Sequence, residues 1–333
     1  MNTPLISVTT PVGQAIERVK HVLFRPFDLT RWFVIGFGAW LAGLGQRGGG
    51  YNYRFNSGRG AHMDLQAGVE RARDYVAGNL HWLVPLAAVL VVFLFGLWVL
   101  FTWLSSRGQF MFLHQVALNR AEVAIPWTRF ARQANSLFGF RLLLGLAQLA
   151  VTLPILFLGA IRAYHVILDS DWKAGDLLAF ISIGFGVILI SLVFGIVSKL
   201  TGDFVVPVMF LRGKTCLAGW AELGPLLAAH VGPFILYFLF QFVLAIAIVL
   251  VVLLAVLVTC CLAACLLILP YVGTVTLLPV LVFLRAYSLH FFAQFGADFD
   301  VFAIAAPTPL TPPPLAAPPP GGPPPISDGV AGI

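Results

Sequence analysis

The chain has 333 residues, of which 59% are hydrophobic and only 10% are charged. Because a soluble domain carries about 25% charged residues, this composition excludes an ordinary soluble globule and indicates an integral membrane protein. The formal net charge of +6 does not indicate nucleic-acid binding. Membrane proteins collect Lys and Arg in cytoplasmic loops, and no basic stripe here interleaves with aromatic residues on a polar domain.

The N-terminal segment, residues 1–30, carries charged side chains and has no continuous apolar core, so it does not resemble a cleaved signal peptide. Residues 12–24 instead predict an amphipathic helix, with Thr10 as its cap and Pro11 in its first turn. Its apolar face consists of Val12, Ala15, Ile16, Val19, Val22 and Leu23. We expect this helix either to lie in the membrane interface or to bind a partner.

Six apolar segments predict an all-α, polytopic membrane domain over residues 31–300, since crossing the bilayer takes about 20 apolar residues. The predicted spans are residues 32–46, 82–104, 138–161, 177–198, 232–257 and 263–288. The first is short and Gly-rich. Residues 232–269, which hold the fifth span and the start of the sixth, are 38 consecutive uncharged residues, too long for one span. A turn is therefore expected near residues 259–261 or, alternatively, at residues 270–273.

The distribution of Lys and Arg predicts the orientation of these spans. The side that carries both termini holds 13 of the 20 Lys and Arg residues, so both termini are expected to be cytoplasmic. The C-terminal segment, residues 305–333, differs in composition, with eleven of the 22 prolines between Pro307 and Pro325. It predicts a disordered polyproline tail, which either docks in a groove on a protein partner or serves as a spacer.

An internal repeat is indicated by a shift of 93 residues, which aligns residues 112–149 with 205–242 without a gap. The identical pairs are Leu118 and Leu211, Trp127 and Trp220, Gly139 and Gly232, Leu143 and Leu236, Leu146 and Leu239, and Gln148 and Gln241. The triplet Phe-Leu-Arg also ends two segments, at Arg212 and at Arg285. These echoes predict three rounds of interfacial helix, span, loop and span.

The repeat supplies the candidate functional residues. Gln148 and Gln241 lie about two turns inside their spans, where they either form interhelical hydrogen bonds or line a polar pathway. Interfacial anchors are predicted at Trp127, Trp220, Arg212 and Arg285. Asp203 is close enough to the same membrane face to suggest an ion pair with Arg212.

No pattern of catalytic, cofactor-binding or metal-ligating residues emerges from the sequence. Its histidines are scattered one per segment, and Cys261 and Cys265, which share a helical face, are expected to act as small apolar residues. The Gly-rich residues 47–60 lack the strand–loop–helix context of a phosphate-binding loop. The sequence therefore predicts no cofactor, no metal and no enzymatic activity.

Four short stretches, residues 203–207 (DFVVP), 212–213 (RG), 270–274 (PYVGT) and 294–296 (QFG), resemble polytopic bacterial membrane proteins grouped as domains of unknown function. The plan of an interfacial helix followed by paired spans is more distantly similar to the membrane domain attached to some glycerophosphodiester phosphodiesterases. The resemblance covers about residues 10–300 and implies a location in the cell inner membrane. It implies no catalytic residue, because that membrane domain is separate from the catalytic domain.

These features favour a non-enzymatic scaffold or accessory protein of the cell envelope, in contact with membrane lipids and with a partner for its tail. A transporter or channel for an uncharged or amphipathic solute is the alternative, if Gln148 and Gln241 converge on a solvated cavity at the midplane. A lipid-modifying membrane enzyme would instead require His and acidic side chains that converge at one depth.

Overall fold

The computed structural model describes residues 6–44, 65–169, 174–259, 266–267 and 269–305. Within these ranges the chain is about 90% helical and contains no strand. The helices are α1 (Thr10–Val19, continued by a π-helical turn at Lys20–Phe24), α2 (Leu29–Leu44), α3 (Leu65–Leu118), α4 (Ala124–Arg129), α5 (Ala131–Asp169), α6 (Ala174–Leu200), α7 (Val206–Arg212), α8 (Cys216–Ala229), α9 (Val231–Val258), α10 (Pro270–Thr276) and α11 (Leu278–Ala293). The proline-rich tail and Cys260, Cys261 and Cys265 lie outside the described residues.

Four helical stretches are long and apolar enough to cross a membrane, by length and composition: Ala77–Leu118, Ala131–Val166, Gly175–Arg212 and Val231–Val258. They contain the second to fifth predicted spans, so these four are confirmed as apolar helices of sufficient length. The membrane-compatible character of the chain follows from them. Helix α3 begins before the second predicted span, at Leu65, and continues without interruption to Leu118.

The first predicted span, residues 32–46, corresponds to α2, which has 16 residues in Leu29–Leu44. At about 1.5 Å per residue this described part is roughly 24 Å long. Residues 45–46 lie outside the described ranges.

The prediction that the sixth span, residues 263–288, is a single bent helix was wrong. Leu269 has an extended backbone, α10 begins at Pro270, and a second break at Leu277 separates α10 from α11. Proline lacks an N–H group and restricts the residue before it, so Pro270 and Pro279 each begin a helix here rather than bend one. Helix α9 ends at Val258.

The N-terminal helix α1 has the predicted apolar face, but this face packs against α11 of the same chain. Ala15, Val22 and Leu23 are fully buried, whereas Ile16 is 44% exposed. The predicted cap at Thr10 was wrong, because the Ser7 hydroxyl accepts the Thr10 amide at 3.2 Å. The amphipathic pattern thus predicted the buried face of α1 correctly, but it did not predict which helix packs against that face.

The buried residues collect where the long helices begin or end. We call this region the base; it comprises residues 10–44, 102–141, 200–237 and 270–302. The remaining apolar parts of the long helices, residues 80–101, 142–165, 177–198 and 238–258, are here called the arms. No residue in the most apolar 18-residue window of any of the four long helices is buried. Most buried residues therefore lie at one end of the spans, and at the other end Arg162 of α5 pairs with the buried Asp176 of α6 at 2.7 Å.

Close packing of α2 on α3 depends on Gly108. A Cβ atom at this position would lie 2.4 Å from the Ala42 nitrogen and 2.5 Å from the Leu41 carbonyl carbon. Beside it, the buried Ser105 hydroxyl donates a hydrogen bond of 2.8 Å to the Ala42 oxygen. Small residues and interhelical hydrogen bonds of this kind hold helices together in lipid, where the hydrophobic effect does not drive helix association.

Candidate functional site in the helical base

A π-helical turn, Thr201–Val205, connects α6 to α7 and carries the ionisable residue Asp203. Such turns occur frequently at functional sites, because the extra residue redirects side chains and frees backbone carbonyls. The Asp203 Oδ2 atom lies 2.9 Å from the Lys199 Nζ atom and accepts a 2.9 Å hydrogen bond from the Tyr237 hydroxyl. Gln241 in turn donates to the Tyr237 oxygen at 2.8 Å. We call Lys199, Asp203, Tyr237 and Gln241 the polar chain.

Helix α11 reaches the same turn through Arg285. Its Nη1 atom donates to the Gly202 oxygen at 2.7 Å, which satisfies a carbonyl that the π-helical turn exposes. The ring of Tyr287, also on α11, stacks on the ring of Tyr237 at 5.7 Å and 9°. Segments that are distant in sequence therefore meet at the polar chain, whose Lys199 end is exposed.

A second buried arginine, Arg141 on α5, lies close to this cluster. Its Nη1 atom is 3.4 Å from the Ser105 hydroxyl. Its Nε and Nη2 atoms, like Nη2 of Arg285, are buried and have no hydrogen-bond partner among the described residues. Buried guanidinium donors without partners are costly, and they are chemically suited to hold water or an anion.

The thiol of Cys216 faces the Arg141 guanidinium at the start of α8. Burial raises the pKa of this thiol to about 12, although the positive charge of Arg141 favours the thiolate. The Cys216 amide donates to the Ser136 hydroxyl at 3.0 Å, which fixes the start of α8 on α5. A thiol with so high a pKa is a packing residue and a poor nucleophile.

The two predicted glutamines differ in their surroundings. Gln241 belongs to the polar chain, and through Tyr237 it reaches Asp203 on the preceding membrane helix. Gln148 is half-buried on α5 and has no hydrogen-bond partner in the described part of the chain. The two side chains share no hydrogen bond, so the structure does not bring them together as a pair.

The two predicted Trp anchors contact other aromatic rings, whereas Arg285 belongs to the polar cluster around the π-helical turn. Trp127 makes an edge contact with Trp103 at 6.0 Å, and the Arg107 guanidinium lies over both rings at 4.9 and 5.0 Å. The ring of Trp220 is 6.2 Å from that of Phe140. Arg285 is a member of the buried cluster described above. These positions leave the interfacial role of the anchors a prediction.

The suggested ion pair between Asp203 and Arg212 was wrong. Arg212 pairs with Glu222 at 2.6 Å, and Lys214 contacts the same carboxylate. The reason is local: Gly213 has a φ of 65°, which ends α7 in a left-handed cap and turns the chain so that α8 returns Glu222 to Arg212.

Two arginines that the sequence did not single out hold the end of α3. Arg18 donates from Nη2 to the Val116 oxygen at 2.7 Å and also to the Ala117 oxygen. Arg31 donates to the Asn119 oxygen at 2.6 Å. Cations at a helix C-terminus satisfy free carbonyls and the helix dipole. The basic residues of the N-terminal helix were the available signal, but nothing in the sequence said which helix end they reach.

Metal-ligating side chains do not cluster in the ranges that the structure describes, where no group of three or more His, Cys, Asp or Glu residues could hold a metal ion. His114 is buried, and its Nε2 atom is 3.7 Å from a Glu122 carboxylate oxygen. Within the described residues, this His–Glu pair is not part of a group of three or more metal-ligating side chains.

The motif residues quoted for the resemblance all lie in the base. The Tyr271 hydroxyl donates to the Phe33 oxygen at 2.8 Å, which ties α10 to α2. Gln294 accepts the Ser7 amide and donates to the Ser7 oxygen, both at 2.8 Å, and so joins the two ends of the described chain. With Asp203 and Gly213, these residues hold the base together.

Comparison with known proteins identifies a family for this chain. The family described as "Family of unknown function (DUF7544)" matches residues 6–278. No curated protein and no solved structure matches the chain. Since the family match extends over most of the 333 residues, the chain belongs to this family of unknown function.

Proposed function

We propose that this protein is a multi-pass protein of the cell inner membrane that serves as a non-enzymatic scaffold or accessory subunit of the cell envelope. In this proposal both termini are cytoplasmic, and the base lies at the cytoplasmic membrane face. Six membrane segments are arranged in three rounds, with α2 and α10–α11 as the shorter first and sixth segments.

The exposure of the arms is the observation that carries the proposal. In a self-contained bundle each span carries fully buried residues on the face that meets its neighbours, whereas the most apolar window of each long helix here contains no buried residue. Helix α9 is an example: Leu250 and Leu254 are exposed by 59% and 62%. Because lipid tails are as apolar as Leu, such arms can pack against partner helices through van der Waals contacts and polar groups.

One further feature supports an accessory role. The proline-rich residues 305–333 suit the extended conformation that aromatic-lined grooves bind. Partners are therefore expected at both the arms and the tail.

Transport of an uncharged or amphipathic solute is the second candidate. The observation that favours it is the polar chain, because ionisable groups such as Lys199 and Asp203 inside membrane segments commonly mark solute or proton pathways. The unpartnered donors of Arg141 add to the polarity of this region. A transporter would need a solvated route through the base to these groups.

Photo-crosslinking in native membranes tests the scaffold proposal. A photoreactive amino acid is placed at Val92 on the α3 arm or at Leu250 on the α9 arm, with the buried Ile35 in the base as the matched control. We expect adducts of defined mass with another protein from at least one arm position and none from Ile35. A second set without residues 305–333 separates partners of the tail from partners of the arms. Lipid adducts alone, with no co-purifying protein in either set, would overturn the proposal and direct attention to transport assays.

A further inference from the structure

A cavity of about 400 Å³ lies where the short helix α8 meets the long helices α6 and α9. Leu200 and Phe234, which are both buried, form its floor. Ile196, Val231 and Ile235 line it while remaining partly exposed. On the α8 side, Gly224 has no atom within 4 Å of the position of a Cβ, so the wall faces open space.

The chemistry of the cavity is purely apolar. All nine residues that line it have hydrocarbon side chains or are glycine. A polar solute or an ion in this space would lose its hydrogen bonds with water and find none in return. The volume lies within the range of about 300–1,000 Å³ in which proteins hold small molecules. The ligand that fits is therefore a hydrocarbon chain.

The position of the cavity selects the source of that chain. Its α6 wall continues into Leu192 and Val193, and its α9 wall into Leu239, all of which are more than half exposed on helices long enough to cross a membrane. The opening thus faces the zone that bilayer hydrocarbon occupies. An empty cavity there would cost its walls their dispersion contacts, and lipid tails are the abundant filler.

We propose that this cavity is a binding site for an acyl chain of a membrane phospholipid, held between α6, α8 and α9. Helix α8 lies above the chain and shields it on the side that faces water. The site lies where the base meets the arms: Ile196 and Phe238 are arm residues, and the other seven residues that line the cavity belong to the base.

Photolabelling with a lipid tests the site. The full chain is reconstituted in phosphatidylethanolamine and phosphatidylglycerol vesicles that contain phosphatidylglycerol with a diazirine near the end of one acyl chain. Labelled residues are mapped by mass spectrometry. We expect labelling of the cavity residues to exceed that of Leu189, a lipid-facing residue of the α6 arm, severalfold.

The variant Ala228→Phe fills the cavity, and Ala229→Phe is its matched control, because Ala229 is the exposed next residue on the same helix and does not line the cavity. Ala228→Phe is expected to reduce cavity labelling severalfold, while labelling of Leu189 stays unchanged and Ala229→Phe has no effect. Ile196→Trp, which fills the cavity from the opposite wall, provides the same test if Ala228→Phe does not fold.

Two outcomes would overturn the proposal. One is labelling of the cavity residues no greater than that of Leu189 in the wild-type chain. The other is cavity labelling that persists in folded Ala228→Phe and Ile196→Trp, which would mean that the label reaches these residues from the general bilayer.

Discussion

Replacing Gly108 with Ala tests the close packing of α2 on α3. The added methyl group would lie 2.4–2.6 Å from atoms of Leu41 and Ala42, two of them backbone atoms that cannot rotate away. Carbon atoms pack best at about 3.5–4.0 Å, so α2 must move by roughly 1 Å. Overpacking of this kind costs about 3 kcal/mol at the upper end of its usual range. The better helix propensity of Ala returns about 1 kcal/mol, which leaves a net loss of about 2 kcal/mol.

Gly96→Ala is the matched control, because Gly96 lies on the same helix and no atom is within 4 Å of its Cβ position. It should be neutral or stabilise the protein by up to about 1 kcal/mol through helix propensity alone. Both variants and the wild type are compared by thermal unfolding in one detergent, with loss of monodisperse protein as the readout. If Gly108→Ala unfolds at the same temperature as Gly96→Ala, α2 does not pack on α3 as described.

Three further predictions concern the base. Tyr237→Phe removes a hydrogen bond to the Asp203 carboxylate and should destabilise the protein by about 1.5–3 kcal/mol in denaturant titrations, whereas Tyr164→Phe on an arm should be neutral. Arg18→Met leaves the carbonyls at the end of α3 without their hydrogen-bond donor. The rate of amide hydrogen exchange should therefore rise in both α1 and the last turn of α3. An unchanged exchange rate would contradict the capping role of Arg18. The Cys216 thiol, whose pKa is raised from 9.0 to about 12, is tested with Cys260, Cys261 and Cys265 replaced by Ala. At pH 8 this thiol should react with a maleimide about 1,000-fold more slowly than an ordinary thiol. The reaction rate should rise with pH and should reach that of an ordinary thiol when the protein is unfolded.

The long helices were predictable from sequence because their signal is local. A stretch such as residues 177–198 has no charge and enough length to cross a membrane, and only a helix satisfies its backbone there. The failure at the sixth predicted span has a local cause as well. Pro270 and Pro279 divide this segment at places where the sequence suggested a bend.

The base could be predicted only in part, because its contacts join distant segments. The pattern around Ala15 and Leu23 gave the buried face of α1, but its cover, α11, lies more than 250 residues further along the chain. Asp203 was expected near a membrane face, yet its partners depend on a π-helical turn that has no clear sequence signal. The sequence did not single out Arg18, and only tertiary packing reveals that it caps α3.

The composition of the particle in its native membrane tests the scaffold proposal most directly. The protein is extracted with its surrounding lipid into polymer-bounded discs and the protein mass of each particle is measured by mass photometry. The account predicts a mass well above the 36.1 kDa of one chain, because the exposed arms are covered by protein partners. Replacing Leu250 and Leu254 with bulky Trp should reduce that mass. Particles that contain a single copy of this chain and lipid alone would contradict the account.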